Sequence, residues 1–357
     1  MIRVLIVDDS PVAIAIIKRM LSLSPDISVA GTAENGREAL NLIPKLKPDV
    51  ICTDLHMPEM DGLEFTREIM SRHPLPILLV SVSSREDSLN AFKVIEAGAV
   101  DFFPKSAANS PLENEKDARE LIRKIRILSG VHVFRRPQPD LVSEKRISAV
   151  TESESQFPIP ISGIGIVVIG ASTGGPQALD TIFSRMSPDF PLPVICIQHI
   201  AKGFLDGLVS WLSSKYRKKV KIAAPDELPM PGFIYFPNEG THLKIGGNGR
   251  FVHSAEPPRG GHRPSINITM ESLARYYGNR VLGVLLTGMG VDGAEGMKAV
   301  AMAGGITIAQ DEQSCVVFGM PRKAIEIKAV KYVMPLESIA QVISSITHNQ
   351  AEAPNNE

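Results

Sequence analysis

Short apolar runs alternate with helix-length amphipathic stretches in the first third of the chain. The runs RVLIV, DISVAGTA, DVICTD and PILLVSV have the length and the β-branched content of buried strands. A helix is predicted from Pro11, because apolar residues recur at helical spacing as far as Leu23, and a second helix is predicted from Gly36 to Leu46. Strands that alternate with helices form a parallel sheet covered on both faces, so this part predicts a wound α/β domain.

The same alternation returns in the second half of the chain. GIVVIG, PVICIQ, VLGVLLTG and GITIAQ indicate strands, and helices are predicted from Pro176, from Phe204 to Tyr216 and from Asp292. The fold class predicted for the whole chain is therefore α/β, with two wound parallel-sheet domains.

Between the two parts the periodicity disappears. The stretch RRPQPDLVSEKRISAVTESESQFPIPI mixes prolines with scattered charges, which is typical of a flexible or semi-extended tether. The tail HNQAEAPNNE is polar and is expected to fray. The predicted organisation is a first domain at 1–130, a linker at 131–162, a second domain at 163–348 and a frayed tail at 349–357.

Composition and charge narrow the class of protein. The chain has 357 residues, of which 44% are hydrophobic and 22% are charged, and its net charge is -1. A length near two average domains and a near-neutral charge favour a folded protein that binds no nucleic acid. No apolar run approaches the roughly 20 residues of a membrane span, and MIRVLIVDDS lacks the features of a signal peptide. We expect a cytoplasmic protein without membrane insertion.

Acidic residues follow the predicted strands of the first domain. Asp8 and Asp9 end the first strand and Asp54 ends the third, while Ser81 and Lys105 end later strand-like runs. Because the carboxyl ends of parallel strands meet at one edge, these side chains are expected to converge. Crowded carboxylates repel one another unless a divalent cation joins them, which predicts an Mg²⁺ site, and Lys105 could pair with a phosphoryl group. The alternative is a set of turn-capping aspartates and a solvated lysine.

The motifs I-V-D-D-S-P, D-L-H-M-P-E-M-D-G and D-F-F-P-K, with a serine after an apolar strand between the last two, resemble the receiver domain of bacterial response regulators over residues 1 to about 128. The resemblance implies a flavodoxin-like fold and a phosphoryl group accepted by Asp54. It further implies Mg²⁺ held by Asp8, Asp9, Asp54 and the backbone carbonyl of His56, and a switch set of Ser81, Phe102 and Lys105. One departure is Ser106, which follows Lys105 where the family commonly has proline.

In the second domain, G-A-S-T-G places Ser172 directly after a predicted strand and before a helix. This G-x-S-x-G pattern is that of a nucleophile elbow, where the free N–H groups of a helix start can stabilise an oxyanion. Glycine-rich turns of this kind also bind phosphate or simply turn the chain, so the motif alone leaves three possibilities open. It lacks the lysine of a P-loop and the G-x-G-x-x-G pattern.

A serine nucleophile needs a base and a group that orients the base. His199 follows the strand PVICIQ, and Asp292 follows VLLTGMG at the start of a predicted helix. If these strands run parallel to GIVVIG, all three residues emerge at one edge of the sheet. Other histidines compete for the role of base, namely His242, His253 and His262, although surface or structural roles are the alternative for each.

The set G-A-S-T-G-G-P, I-Q-H-I, H-R-P-S-I, T-G-M-G-V-D-G-A and V-V-F-G-M-P resembles the chemotaxis protein-glutamate methylesterase (CheB) family over residues 164 to 347. The resemblance implies an α/β methylesterase domain with Ser172 as nucleophile, His199 as base and Asp292 as orienting acid. It further implies that the backbone N–H of Met289 contributes to an oxyanion hole and that Thr173 supports the site. Ile200 and Asn267 depart from the family pattern, and neither is expected to touch the three catalytic residues.

The resemblance implies a phosphorylation-activated hydrolase that removes methyl groups from γ-glutamyl esters of chemoreceptors and deamidates receptor glutamines. Its implied partners are methyl-accepting chemotaxis receptors as substrate and a chemotaxis histidine kinase as phosphodonor, and the hydrolysis itself needs no cofactor. Two alternatives remain open: a phosphorylation-controlled receptor-binding adaptor without turnover, and an esterase for a different ester. A DNA-binding regulator is disfavoured, because the second half offers no basic recognition element.

Overall fold

The computed structural model describes residues 1–81, 85–105, 111–131, 133, 163–216 and 218–347. The predicted linker at 131–162 lies outside these ranges except for residues 131 and 133, and the predicted tail at 349–357 lies wholly outside them. Among the described residues, no helix is long and apolar enough to span a membrane.

The N-terminal half of the described chain contains a parallel five-stranded sheet in the order β2-β1-β3-β4-β5. Side chains fix the starts of its first three helices, because Ser10, Asn35 and Asp61 each accept a hydrogen bond from a backbone N–H of the first turn. The elements are β1 (Ile2–Val7), α1 (Pro11–Leu21), β2 (Ile27–Ala33), α2 (Gly36–Leu46), β3 (Val50–Thr53), α3 (Gly62–Arg72), β4 (Ile77–Ser81), α4 (Arg85–Ala97), β5 (Asp101–Pro104) and α5 (Pro111–Leu128). The wound α/β prediction is confirmed here.

The C-terminal half contains a parallel seven-stranded sheet in the order β14-β13-β12-β6-β7-β9-β8 and an antiparallel hairpin of β10 and β11. Its strands are β6 (Ile166–Ala171), β7 (Val194–Gln198), β8 (Lys219–Ile222), β9 (Phe233–Phe236), β10 (His242–Ile245), β11 (Phe251–Ser254), β12 (Val281–Leu285), β13 (Ile306–Gln310) and β14 (Tyr332–Met334). Its helices are α6 (Gly175–Arg185), α7 (Leu205–Tyr216), α8 (Ile266–Tyr277), α9 (Ala294–Met302), α10 (Met320–Glu326) and α11 (Leu336–Ser344).

Two helix starts differ from the prediction for a backbone reason. The helix expected from Asp292 begins at Ala294, because Gly293 turns the chain at φ 94° in the left-handed region that glycine adopts most easily. The helix expected from Pro176 begins one residue earlier, after Gly174 at φ 76°. The sequence pattern did not predict α8, which packs against β10 and α9 and contributes to the site described below.

Strands β7, β6 and β12 lie side by side in parallel at the centre of the second sheet. Ala171 at the end of β6 pairs with Gln198 at the end of β7, and Gly170 pairs with Leu285 at the end of β12. The chain therefore leaves all three strands at the same edge of the sheet. Ser172 and His199 are the first residues after their strands, as the sequence predicted.

The two halves are packed against each other through α4 of the first and α7 of the second. The ring of Phe92 stacks on Trp211 with centroids 5.5 Å apart, and Lys215 forms an ion pair with Glu96 at 2.6 Å. Buried residues of both halves belong to one continuous apolar cluster. The contact is thus an apolar interface with a charged rim.

Candidate active site

The backbone of Ser172 is held in place by three neighbouring elements. Its N–H donates to the carbonyl of Thr287 at 3.0 Å, and its carbonyl accepts the Gln198 side-chain amide at 2.8 Å. The side chain is half-buried at the start of α6. Gly174 is required in this turn, because a Cβ added there would lie 2.6 Å from Val316. The strand-turn-helix geometry expected for a nucleophile elbow is present.

His199 and Asp292 form a buried pair beside this turn. Nε2 of His199 lies 2.9 Å from Oδ2 of Asp292, and the two side chains are only 9% and 3% exposed. Nδ1 of His199 is also buried and has no hydrogen-bond partner among the described residues. Because the carboxylate occupies Nε2, Nδ1 is the nitrogen available to take a proton from Ser172. The structure describes no hydrogen bond between Ser172 Oγ and His199.

Asp292 sits in a pocket of hydrogen-bond donors. The Ser265 hydroxyl donates to Oδ1 at 2.8 Å, and the backbone N–H groups of Ile266 and Asn267 donate at 2.7 and 3.1 Å. Burial by itself raises the pKa of Asp292, but the hydrogen bond and charge of His199 and these N–H groups outweigh it and lower the pKa to about 2. The carboxylate is therefore ionised at neutral pH and can stabilise an imidazolium on His199.

The three competing histidines have other roles. His262 stacks face to face on His199, with centroids 3.8 Å apart and planes at 2°. Burial, together with electrostatic repulsion from the neighbouring His199 and Arg123, lowers the pKa of His262 to about 4, so it stacks as a neutral ring. His242 accepts the Ser265 N–H at Nδ1, and His253 lies 3.2 Å from the Thr241 hydroxyl.

The loop after β12 brings Met289 next to the serine turn. Gly288 lies so close that an added Cβ would meet Ser172 Cβ at 2.7 Å, which places the following peptide beside the nucleophile. No described residue accepts a hydrogen bond from the Met289 N–H. Thr173, the other supporting residue predicted, donates its hydroxyl to Asp101 at 3.1 Å and accepts from Thr287 at its carbonyl. Asp101 belongs to the N-terminal half, and the sequence did not single it out.

The expectation that Asn267 stays clear of the catalytic residues is wrong. Besides the contact of its N–H with Asp292, its side-chain oxygen accepts the N–H groups of Gly293 at 3.0 Å and Gly296 at 2.7 Å. Asn267 therefore joins the start of α8 to the start of α9. Asp292 lies in the turn that leads into α9, directly before Gly293. Ile200, the other departure, is partly buried against the apolar cluster.

The acidic residues of the N-terminal half converge as predicted. Ligand oxygens of Asp8, Asp9 and Asp54 lie within 4.8 Å of one another, a donor set that suits a hard divalent cation. Lys105 Nζ lies 2.8 Å from both Asp8 Oδ2 and Asp54 Oδ2. Burial raises the pKa of Asp54, and Lys105 opposes that effect only in part.

The remaining predicted residues of that half lie around this cluster. Ser81 is buried at the end of β4, and its carbonyl accepts the Lys105 N–H at 2.7 Å. The side chain of His56 contacts Asp87 at 2.6 Å, while the role of its backbone carbonyl as a metal ligand stays a prediction. Phe102 stacks on Phe204 of the C-terminal half. The departure at Ser106 lies outside the described residues.

The N-terminal half lies directly on the rim of the serine site. Besides the bond from Thr173 to Asp101, the Gln177 amide of α6 donates to the carbonyl of Ala99 at 2.6 Å. Arg123 of α5 lies 3.1 Å from the sulfur of Met289. These contacts join the first turn of α6 and the Met289 loop to the other half.

Comparison with known proteins gives matches to both halves. Residues 167–343 match the CheB methylesterase family, and residues 4–116 match the response regulator receiver domain. The chain is 40% identical over 352 residues to protein-glutamate methylesterase/protein-glutamine glutaminase 2 of Methanospirillum hungatei, covering 98% of this chain and 99% of that protein. It is 38% identical over 355 residues to the protein-glutamate methylesterase/protein-glutamine glutaminase of Nitrosospira multiformis, covering 99% of each chain.

A solved structure agrees with the second half. The CheB methylesterase catalytic domain of Thermotoga maritima superimposes with a TM-score of 0.50 and is 37% identical. The match covers 52% of this chain and all of that domain.

Proposed function

The chain belongs to the CheB methylesterase family, with a response regulator receiver domain ahead of the methylesterase domain, and we propose that it hydrolyses γ-glutamyl methyl esters of chemoreceptors through Ser172, His199 and Asp292. The observation that carries the assignment of residues is the buried 2.9 Å contact of His199 with Asp292, beside a serine at the start of a helix. We propose that the receiver domain spans residues 1–130 and the methylesterase domain residues 163–348.

The proposed reaction begins with attack of Ser172 Oγ on the ester carbonyl. Nδ1 of His199 takes the serine proton, and the ionised Asp292 holds the ring through Nε2 and stabilises the imidazolium. The Met289 N–H donates to the oxyanion, with Thr173 supporting the turn. His199 then returns the proton to the leaving methanol, and water hydrolyses the acyl-enzyme with the same nitrogen as base.

A glutamine side chain passes through the same tetrahedral intermediate, with ammonia in place of methanol as the leaving group. The same three residues therefore support deamidation of receptor glutamines to glutamate. This agrees with the double name of the relatives, protein-glutamate methylesterase/protein-glutamine glutaminase.

The receiver domain supplies control by phosphorylation. We propose Asp54 as the phosphoryl acceptor, with Asp8, Asp9 and Asp54 and the His56 carbonyl as the residues that hold Mg²⁺. A bound Mg²⁺ would neutralise charge on the transferring phosphoryl group. Lys105 pairs with Asp8 and Asp54 in this structure, and we propose that it pairs with the phosphoryl group after transfer, with Ser81 and Phe102 as its switch partners.

The interface supports inhibition by the unphosphorylated receiver domain. Phe102 of the switch set is stacked on Phe204, and the preceding residue, Asp101, bonds to Thr173 beside the nucleophile. A shift of β5 on phosphorylation would disturb both contacts, and activation is limited by the difference in stability between the packed and released states. The proposed phosphodonor is a chemotaxis histidine kinase, and the proposed substrates are methyl-accepting receptors.

The test is release of methanol from methylated chemoreceptor membranes. Wild type and Ser172→Ala are compared, each with and without a small-molecule phosphodonor and Mg²⁺. Release that depends on Ser172 and rises with phosphodonor supports the hydrolase and its control. No release by wild type, despite phosphorylation of Asp54, contradicts the proposal and favours an adaptor or an esterase for another ester.

A further inference from the structure

Ser265 occupies the N-cap position of α8 but does not cap the helix. Serine is favoured at this position because its hydroxyl can accept a hydrogen bond from an N–H of the first turn. Here the Ser265 side chain makes no such bond. It is fully buried and donates instead to Oδ1 of Asp292, a residue 27 positions away in the chain.

Asp292 takes over the capping function that Ser265 gives up. The N–H of Ile266 donates to its Oδ2, and the N–H of Asn267 donates to its Oδ1. A carboxylate at the positive end of a helix is stabilised by both the unpaired N–H groups and the helix dipole. The start of α8 is therefore built around the side chain of a residue in another segment.

The hydrogen bonds to Asp292 are distributed unequally between its two carboxylate oxygens. Oδ1 accepts three bonds, from the Ser265 hydroxyl and from the N–H groups of Asn267 and Gly293. Oδ2 accepts the Ile266 N–H and contacts Nε2 of His199. Apart from His199, the Ser265 hydroxyl is the only side-chain group among these donors. It donates to Oδ1, the oxygen that does not contact His199.

We propose that Ser265 is a positioning residue of the ester hydrolysis. Its hydroxyl anchors Oδ1 of Asp292, which aims Oδ2 at His199 and keeps the proton of the neutral imidazole on Nε2. Nδ1 is then free to accept the proton of Ser172. This inference rests on the proposed function and extends it to the serine of the H-R-P-S-I motif.

The experiment compares Ser265→Ala and Ser265→Thr with wild type in the full-length protein. Bonds to charged groups are the stronger ones, so we expect Ser265→Ala to lower kcat for methanol release by roughly 10- to 100-fold with little change in KM. Threonine keeps the hydroxyl and is expected to restore part of the lost kcat. The control is Ser272→Ala, which removes another buried hydroxyl of α8 that bonds to Thr269 and Ile245.

A double-mutant cycle separates positioning from general loss of structure. With Asp292→Ala already present, Ser265→Ala should cause no further loss of kcat, because the residue that it positions is gone. An equal loss of kcat in both backgrounds, or the same loss in Ser272→Ala, would overturn the proposal.

Nitrogen-15 NMR of the His199 ring gives a readout that needs no substrate. We expect Ser265→Ala to lower the fraction of the tautomer with its proton on Nε2, and an unchanged tautomer fraction would overturn the proposal. If wild type released no methanol, the proposed function would fail, while the NMR comparison would still decide whether Ser265 positions the pair.

Discussion

Replacing Phe204 by alanine should activate the unphosphorylated enzyme. Phe204 has no exposed surface, and its ring stacks on Phe102 of the receiver domain with centroids 4.4 Å apart and planes at 24°. Burying a phenylalanine side chain is worth about 1.5–3 kcal/mol, and a stacked partner adds about 0.5–1.5 kcal/mol. Part of this burial is against the catalytic domain itself, so we assign about 2 kcal/mol to the interface.

A loss of that size shifts the ratio of packed to released molecules by roughly 30-fold. The measured activation is smaller than this ratio if most molecules are already released, because activity cannot exceed that of the fully released enzyme. The activity of phosphorylated wild type gives this upper limit. The assay is methanol release without phosphodonor, followed by the same measurement with phosphodonor. Phe204→Ala should show higher basal activity and a smaller ratio of phosphorylated to unphosphorylated activity.

A matched control is Phe251→Ala. Phe251 is also buried, but it packs on Tyr235 in an apolar cluster that consists only of residues of the catalytic domain. Its truncation should lower the free energy of unfolding without raising basal activity. Unchanged basal activity in Phe204→Ala, together with full activation by phosphodonor, would refute the inhibitory role of this contact.

Asp54→Asn should abolish activation by phosphodonor while leaving the basal rate near that of wild type, and retained incorporation of phosphate would contradict the assignment of Asp54. Removing Mg²⁺ with a chelator should prevent phosphorylation but leave basal methanol release unchanged, and a parallel loss of both would place the metal in the hydrolase. The pKa of His262 falls from 6.5 to about 4 on folding. Between pH 6.5 and about 4 the unfolded chain therefore binds a proton that the folded chain does not, and the free energy of unfolding decreases as the pH falls, by up to roughly 3 kcal/mol. Urea unfolding across this range should show a steep pH dependence in wild type and a flatter one in His262→Gln, and equal slopes would contradict the neutral stack.

The residues that end parallel strands could be predicted because the argument is local. Asp54, Ser172 and His199 each follow an apolar run directly, and parallel strands bring their carboxyl ends to one edge. The chain order of the elements is sufficient to predict that Ser172 and His199 lie at one edge of the second sheet and that Asp54 lies with Asp8 and Asp9 at one edge of the first.

Contacts between distant segments could not be predicted in this way. The donation from Ser265 to Asp292 depends on where α8 lies relative to α9, and α8 was not among the predicted helices. Asn267 was wrongly expected to lie apart from the catalytic residues for the same reason.

The interface between the domains was hidden for a different reason. Phe92 and Trp211 have the apolar character of ordinary core residues, so their hydropathy does not reveal that they meet across two domains. The positions of Asp101 and Thr173 likewise became informative only when the two domains were seen together. The composition of the tether between the domains likewise predicts no contact surface.

Ser172, His199 and Asp292 are proposed to act as one catalytic unit. Methanol release from methylated receptor membranes should be measured for each single alanine variant and for the triple variant, with Ser184→Ala, on the solvent-exposed side of α6, as control. Loss of Ser172 or His199 should lower kcat by roughly 10⁶-fold, and the triple variant should be no slower than the slowest single variant. Losses that multiply in the triple variant, or a Ser172→Ala enzyme with near wild-type kcat, would contradict it.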